Sequence, residues 1–147
     1  ADISEGDMFI GNDAYTGGGT HLPDINLAMP VFVDDKLSAF VCNIAHHADV
    51  GGMARGSMAG GMSEIYQEGL RIPVVKLFRR GELQEDLFEI LLLNVRIPEE
   101  RRGDYYAQIA ACRLGRKLSG ATGMKQRSSR WPIVLKKRPA CLSASPI

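Results

Sequence analysis

Two rhythms of apolar residues run along this chain. In the first two thirds the runs are short and bounded by turn chemistry, the pattern of strands. Asp7-Met8-Phe9-Ile10 reads as a short strand running into Gly11-Asn12-Asp13, where an Asx turn at Asp13 is expected. Ile25 to Val33 and Leu37 to Cys42 are apolar runs flanking Asp34-Asp35-Lys36, which predicts a hairpin, with Pro30 marking an edge or a bulge. Leu70 to Leu77 reads as a strand broken by Pro73. The rhythm then changes. Leu83, Leu87, Ile90, Leu91 and Val95 recur every few residues, with Gln84, Glu85, Asp86 and Glu89 between them. That spacing predicts a helix beginning near Glu82 and ending by Arg96, because Pro98 stops it. Pro98-Glu99-Glu100 opens a short turn, Arg102 and Asp104 pair across Gly103, and a second helix runs from Tyr105 to Leu118 with Tyr105, Ile109 and Cys112 inward. The fold class expected is α+β: a hairpin-rich mixed or antiparallel sheet followed by two helices.

Composition narrows this picture. A chain of 147 residues, 45% hydrophobic and 24% charged, has the makings of one domain with a proper core. Its net charge of +1 conceals an asymmetry, since Ala1 to Leu118 carries 12 basic against 17 acidic residues. The six remaining basic residues all follow Ser119, where no acid occurs, so residues 119–147 are expected to be a weakly ordered basic tail. Trp131 is its single aromatic residue, which gives no interleaved surface for nucleic acid. Cys42, Cys112 and Cys141 are odd in number and widely spaced, so neither a disulfide framework nor a zinc knuckle is indicated and a reducing cytoplasm fits. No apolar run is long enough to span a bilayer.

The chemistry gathers in two Gly-rich segments. Gly17-Gly18-Gly19-Thr20-His21-Leu22-Pro23-Asp24 and Ala45-His46-His47-Ala48-Asp49-Val50-Gly51-Gly52 hold all three histidines. Imidazole and carboxylate suit a divalent metal such as Mn, Zn or Fe, so the segments read as two walls of one pocket. The hairpin between them returns the chain to its start, which brings Asp24 near His46. On a strand His46 and His47 point to opposite faces, so one is a ligand and the other serves differently. Gly51 to Met62 is expected as a mobile loop over the pocket, with Arg55 and Ser57 touching substrate; Glu64 and Glu68 are acid–base candidates.

These blocks, in their order, resemble the hydantoinase B/oxoprolinase family. Gly6-Asp7-Met8-Phe9-Ile10 with Asn12-Asp13, Gly18 to Asp24 and Ala45 to Gly52 carry the resemblance, as do Glu64 to Pro73, Glu85-Asp86-Leu87, Asn94-Val95-Arg96, Pro98 to Asp104 and Ala107 to Ala111. It covers about Ile3 to Leu118, so 1–118 is expected to be a partial domain of a larger fold. The abrupt loss after Ser119 is what a shifted frame or truncated gene produces. The resemblance implies an ATP-dependent opening of cyclic amides such as hydantoins or 5-oxoproline, carried out with a hydantoinase A-type ATP-binding subunit, through which alone ATP enters. Two alternatives are carboxylation of a ketone, as in acetone carboxylase, and a non-catalytic interaction fragment. It also implies metal ligands at His21, Asp24 and His46, with His47 and Asp49 beside them as acid–base candidates. The partners implied are that subunit and a small-molecule substrate, with no nucleic acid and no membrane; an oligomer is allowed, and the chain alone is expected to be inactive.

Overall fold

A computed structural model describes residues 2–17 and 19–121. The tail expected at residues 119–147 lies outside them from residue 122 onward, and Gly18 is outside them too. Five antiparallel strands form one sheet in the order β3-β2-β1-β4-β5: β1 Met8–Gly11, β2 Asp24–Val33, β3 Lys36–His46, β4 Val75–Arg79 and β5 Glu82–Leu83. Two helices follow, α1 Glu85–Leu93 and α2 Pro98–Ala121. This is the α+β arrangement that the two rhythms predict.

The β2–β3 hairpin dominates the sheet. Its strands pair from Val33↔Lys36 at the turn to Asp24↔His46 at the open end. Asp34 and Asp35 take the two turn positions with φ of 50° and 59°, the left-handed conformation that a two-residue hairpin turn demands. Alternation along β2 sends Ile25, Leu27 and Met29 inward, leaving Asp24, Asn26 and Ala28 on the opposite face. The core lies on the inward side, where Tyr105, Ile109 and Cys112 of α2 and Phe88, Leu91 and Leu92 of α1 join Met8, Ile10 and Leu77. All are buried, and each large apolar side chain among them contributes about 1.5–3 kcal/mol by leaving water.

Several expected boundaries move, each for a local reason. Glu82 and Leu83 are strand, because Arg80 and Gly81 make a tight turn with positive φ that pairs them with Arg79 and Phe78. The first helix therefore begins at Glu85, and it ends at Leu93. It buries Phe88 and Leu92 where the spacing pointed to Ile90, which is exposed. Pro98 opens α2 instead of stopping α1. Proline costs nothing at the first helical position, whose N–H has no helical partner. Because residues 98–104 are helical, Arg101 lies i, i+3 from Asp104 and takes it at 3.1 Å; Arg102 pairs with Glu89 instead, at 3.2 Å. α2 runs past the expected end at Leu118 to Ala121, and the Ser119 hydroxyl donates back to the Gly115 carbonyl at 2.9 Å. Pro73 limits the Leu70 to Leu77 strand to its second half, from Val75 onward. No helix among the described residues is long and apolar enough to cross a membrane.

Candidate metal centre

The open end of the hairpin places Asp24 and His46 as directly paired neighbours, both on the face turned away from α2. His21 reaches them from the preceding turn, in which the Asp24 N–H donates to the His21 carbonyl at 3.3 Å. The His21 Nε2 then lies 3.0 Å from Asp24 Oδ2, and the His21 and His46 rings are 5.0 Å apart between centroids. Each of the three offers one ligand atom within 4.8 Å of the others. His21 and Asp24 are half-buried and His46 is exposed. Donors sharing a tetrahedral ion at bonds of about 2.0–2.2 Å stand roughly 3.3–3.6 Å apart, so small side-chain rotations suffice. The donor chemistry also fits: two imidazoles and a carboxylate bind a borderline divalent ion and leave positions for other ligands.

His47 takes the opposite direction, as alternation requires. It is buried, tilted against Tyr105 with ring centroids 4.6 Å apart, and its Nε2 lies 2.8 Å from Gln108 Oε1. Gln108 Nε2 donates to the Ile25 carbonyl (3.0 Å) and to Asn43 Oδ1 (2.9 Å), so its Oε1 must accept, and His47 carries its proton on Nε2. Burial holds the His47 pKa below 6.5, against the raising effect of Gln108. Its Nδ1 is buried without a hydrogen-bond partner among the described residues.

Asp49 lies in a closed set of donors. Gly51 and Arg96 backbone N–H groups reach Oδ1 (2.9 and 3.0 Å), while Gly56 N–H and Arg96 Nη1 reach Oδ2 (3.1 and 2.8 Å). Arg96 also donates to the carbonyls of Gly51, Gly52 and Ala54, so the loop after the histidine pair is strapped to one guanidinium. The first half of the loop expected to be mobile, Gly51 to Ser57, is thus tied down. Ser57 is buried, accepting from the Val50 N–H and donating to the Gly51 carbonyl at 2.8 Å each, and Arg55 is exposed. Gly51 and Gly52 have φ of +89° and +81°, a region any side chain would strain, and a Cβ on Gly52 would collide with the Gln67 carbonyl.

The earlier wall is held at Leu22. Asn12, fully buried, donates through Nδ2 to the carbonyls of Leu22 (2.8 Å) and Leu70 (2.9 Å). Glu68 Oε2 accepts the Leu22 N–H at 3.2 Å. Glu64 is exposed and caps the 3₁₀ turn Ile65–Gln67. Asp13 forms the expected Asx turn with Thr16, and its other oxygen accepts from Arg71, whose guanidinium lies over Tyr15 and Tyr66. Arg96 and Gln108 carry no signal of their own in the sequence. Both lie inside blocks that bear the resemblance, the one feature that marks them.

Residues 1–125 match the family model described as hydantoinase B/oxoprolinase. The chain is similar to the caprolactamase subunit beta of Pseudomonas jessenii, 38% identical over 117 residues, which are 79% of this chain and 20% of that one. It is equally similar to 5-oxoprolinase 1 of Arabidopsis thaliana, 38% over 128 residues, 79% of this chain and 10% of that one. The crystal structure of the ATP-dependent caprolactamase from Pseudomonas jessenii superimposes with a TM-score of 0.76 at 36% identity, covering 85% of this chain and 22% of that one. A nucleotide-free acetone carboxylase superimposes with a TM-score of 0.78 at 27% identity over 84% of this chain and 16% of that one. This chain therefore spans about a tenth to a fifth of the length of the proteins it matches.

Proposed function

Because this chain belongs to the hydantoinase B/oxoprolinase family, we propose that it is part of an ATP-dependent enzyme opening cyclic amides and that His21, Asp24 and His46 hold a divalent ion in it. One observation carries the reading. Three side chains of types that can ligate a metal, from two segments of the chain, converge on the face turned away from α2, with one potential ligand atom from each within 4.8 Å of the others. A bound Mn, Zn or Fe ion supplies Lewis-acid polarisation of a carbonyl. The chain's own residues supply position. His47 anchors the later wall to α2 through Gln108, and Asp49 with Arg96 fixes the first part of the loop beyond it. A hydantoinase A-type subunit would bring ATP; the subunit naming of the caprolactamase relative supports a complex of this kind.

The test is elemental analysis and Mn²⁺ titration of the purified chain. One ion per chain is expected, lost in His21→Ala, Asp24→Ala and His46→Ala. No ion above buffer background in the wild type overturns the metal reading and leaves a non-catalytic interaction fragment. The likeness to acetone carboxylase favours a second chemistry, carboxylation of a ketone. In the assembled complex, ATP turnover stimulated by a cyclic amide supports ring opening, and turnover that needs a ketone with bicarbonate supports the second.

A further inference from the structure

His21 follows Gly17-Gly18-Gly19-Thr20, and the residue after it, Leu22, is held firmly. Leu22 is fully buried, and both polar atoms of its backbone are gripped by remote side chains, the N–H by Glu68 and the carbonyl by Asn12. The short strip Gln67 to Leu70 also braces the other wall. Its Gln67 carbonyl accepts from the Met53 N–H at 2.9 Å, and its Leu70 N–H donates to the Val50 carbonyl at 2.8 Å. Leu70 in turn offers its carbonyl to Asn12. One strip thus leans on the segment that follows His46 and on the segment that carries His21. Glu68 is its only side chain on the Leu22 peptide among the described residues.

We propose that Glu68 is a positioning residue for His21, acting through the Leu22 peptide to set how tightly the His21, Asp24 and His46 group takes a divalent ion. This rests on the metal reading above. A ligand fixed before the ion arrives loses no freedom on binding, and removing a group that orients a metal ligand typically weakens affinity 10- to 100-fold. The hydrogen bond needs an acceptor oxygen and not a charge, so glutamine at this place should serve.

The experiment compares the full chain with Glu68→Ala and Glu68→Gln by Mn²⁺ titration, Mn²⁺ electron paramagnetic resonance and amide hydrogen exchange without metal. Glu68→Ala is expected to bind about 10-fold more weakly, with an altered resonance spectrum and faster exchange at the Leu22 amide. Glu68→Gln should return affinity to within about threefold and restore the spectrum. Equal affinity and spectra for wild type and Glu68→Ala overturn the proposal, as does a Glu68→Gln variant as weak as Glu68→Ala. Should the wild type take no ion, the metal reading falls by itself. The positioning is then judged on exchange alone: unchanged Leu22 protection in Glu68→Ala overturns it, and lost protection regained in Glu68→Gln supports it.

Discussion

Asp49 is a carboxylate spent on structure. Burial alone would raise its pKa, yet the backbone N–H groups of Arg96, Gly51 and Gly56 and the Arg96 guanidinium bring it below 3.8. A carboxyl with a folded pKa below its unfolded one gives stability that is complete above the unfolded value and lost as pH falls through the folded one. Asp49→Asn should therefore cost about 1.5–3 kcal/mol at neutral pH, where charged hydrogen bonds are lost. The gap from wild type should shrink below pH 3.8. Urea unfolding at pH 7 and about pH 3 checks both statements, and a constant gap would count against them. The sequence made Asp49 visible as a polar group beside histidines, but not its partners. Arg96 lies 47 residues away, and the bond partners it offers include a backbone N–H that any residue type possesses. Gln108 was hidden likewise, being one amide among many polar residues of α2. His21, Asp24 and His46 were legible because rare residue types stood at both ends of one hairpin.

At the scale of elements, the hairpin was readable from two acidic turn residues between apolar runs, and its register is what gives the donors a common face. A slip by one residue would send His46 toward α2 and Asp24 away from it. Asp35 holds a left-handed φ of 59° that glycine adopts without strain. Asp35→Gly should raise stability by about 0.5 kcal/mol, seen as a higher urea midpoint. Mn²⁺ affinity should stay unchanged, because this turn is at the far end from Asp24 and His46. The helix limits were less readable. Apolar spacing does not distinguish the first residue of a helix from a strand pair such as Glu82 and Leu83, which only their pairing with Phe78 and Arg79 makes β. Nor does a proline declare whether it ends one helix or begins the next.

At the scale of the molecule, Gln108 joins what the sheet and α2 would otherwise present separately. It is bonded to Ile25 of β2, Asn43 of β3 and His47 beyond them, and its own carbonyl accepts from Asn43 Nδ2 at 2.9 Å. Gln108→Leu keeps the bulk and strands those buried groups, at a cost of about 2–3 kcal/mol, measurable as a lower thermal midpoint. The face of the sheet away from α2 keeps Ile44 66% exposed beside His46. The donors thus open outward, where substrate or further protein can approach. The hairpin is closed by its turn at one end, and at the other by strand pairing, the His47 N–H to Pro23 carbonyl bond and, on the inner side, Gln108. A cation gripped on the outer side of that end by His21, Asp24 and His46 would act as a removable staple, bound by the folded chain and released on unfolding, and so would shift the balance toward the folded state. Chelation should then lower the melting temperature of the metal-loaded protein and leave that of His46→Ala untouched.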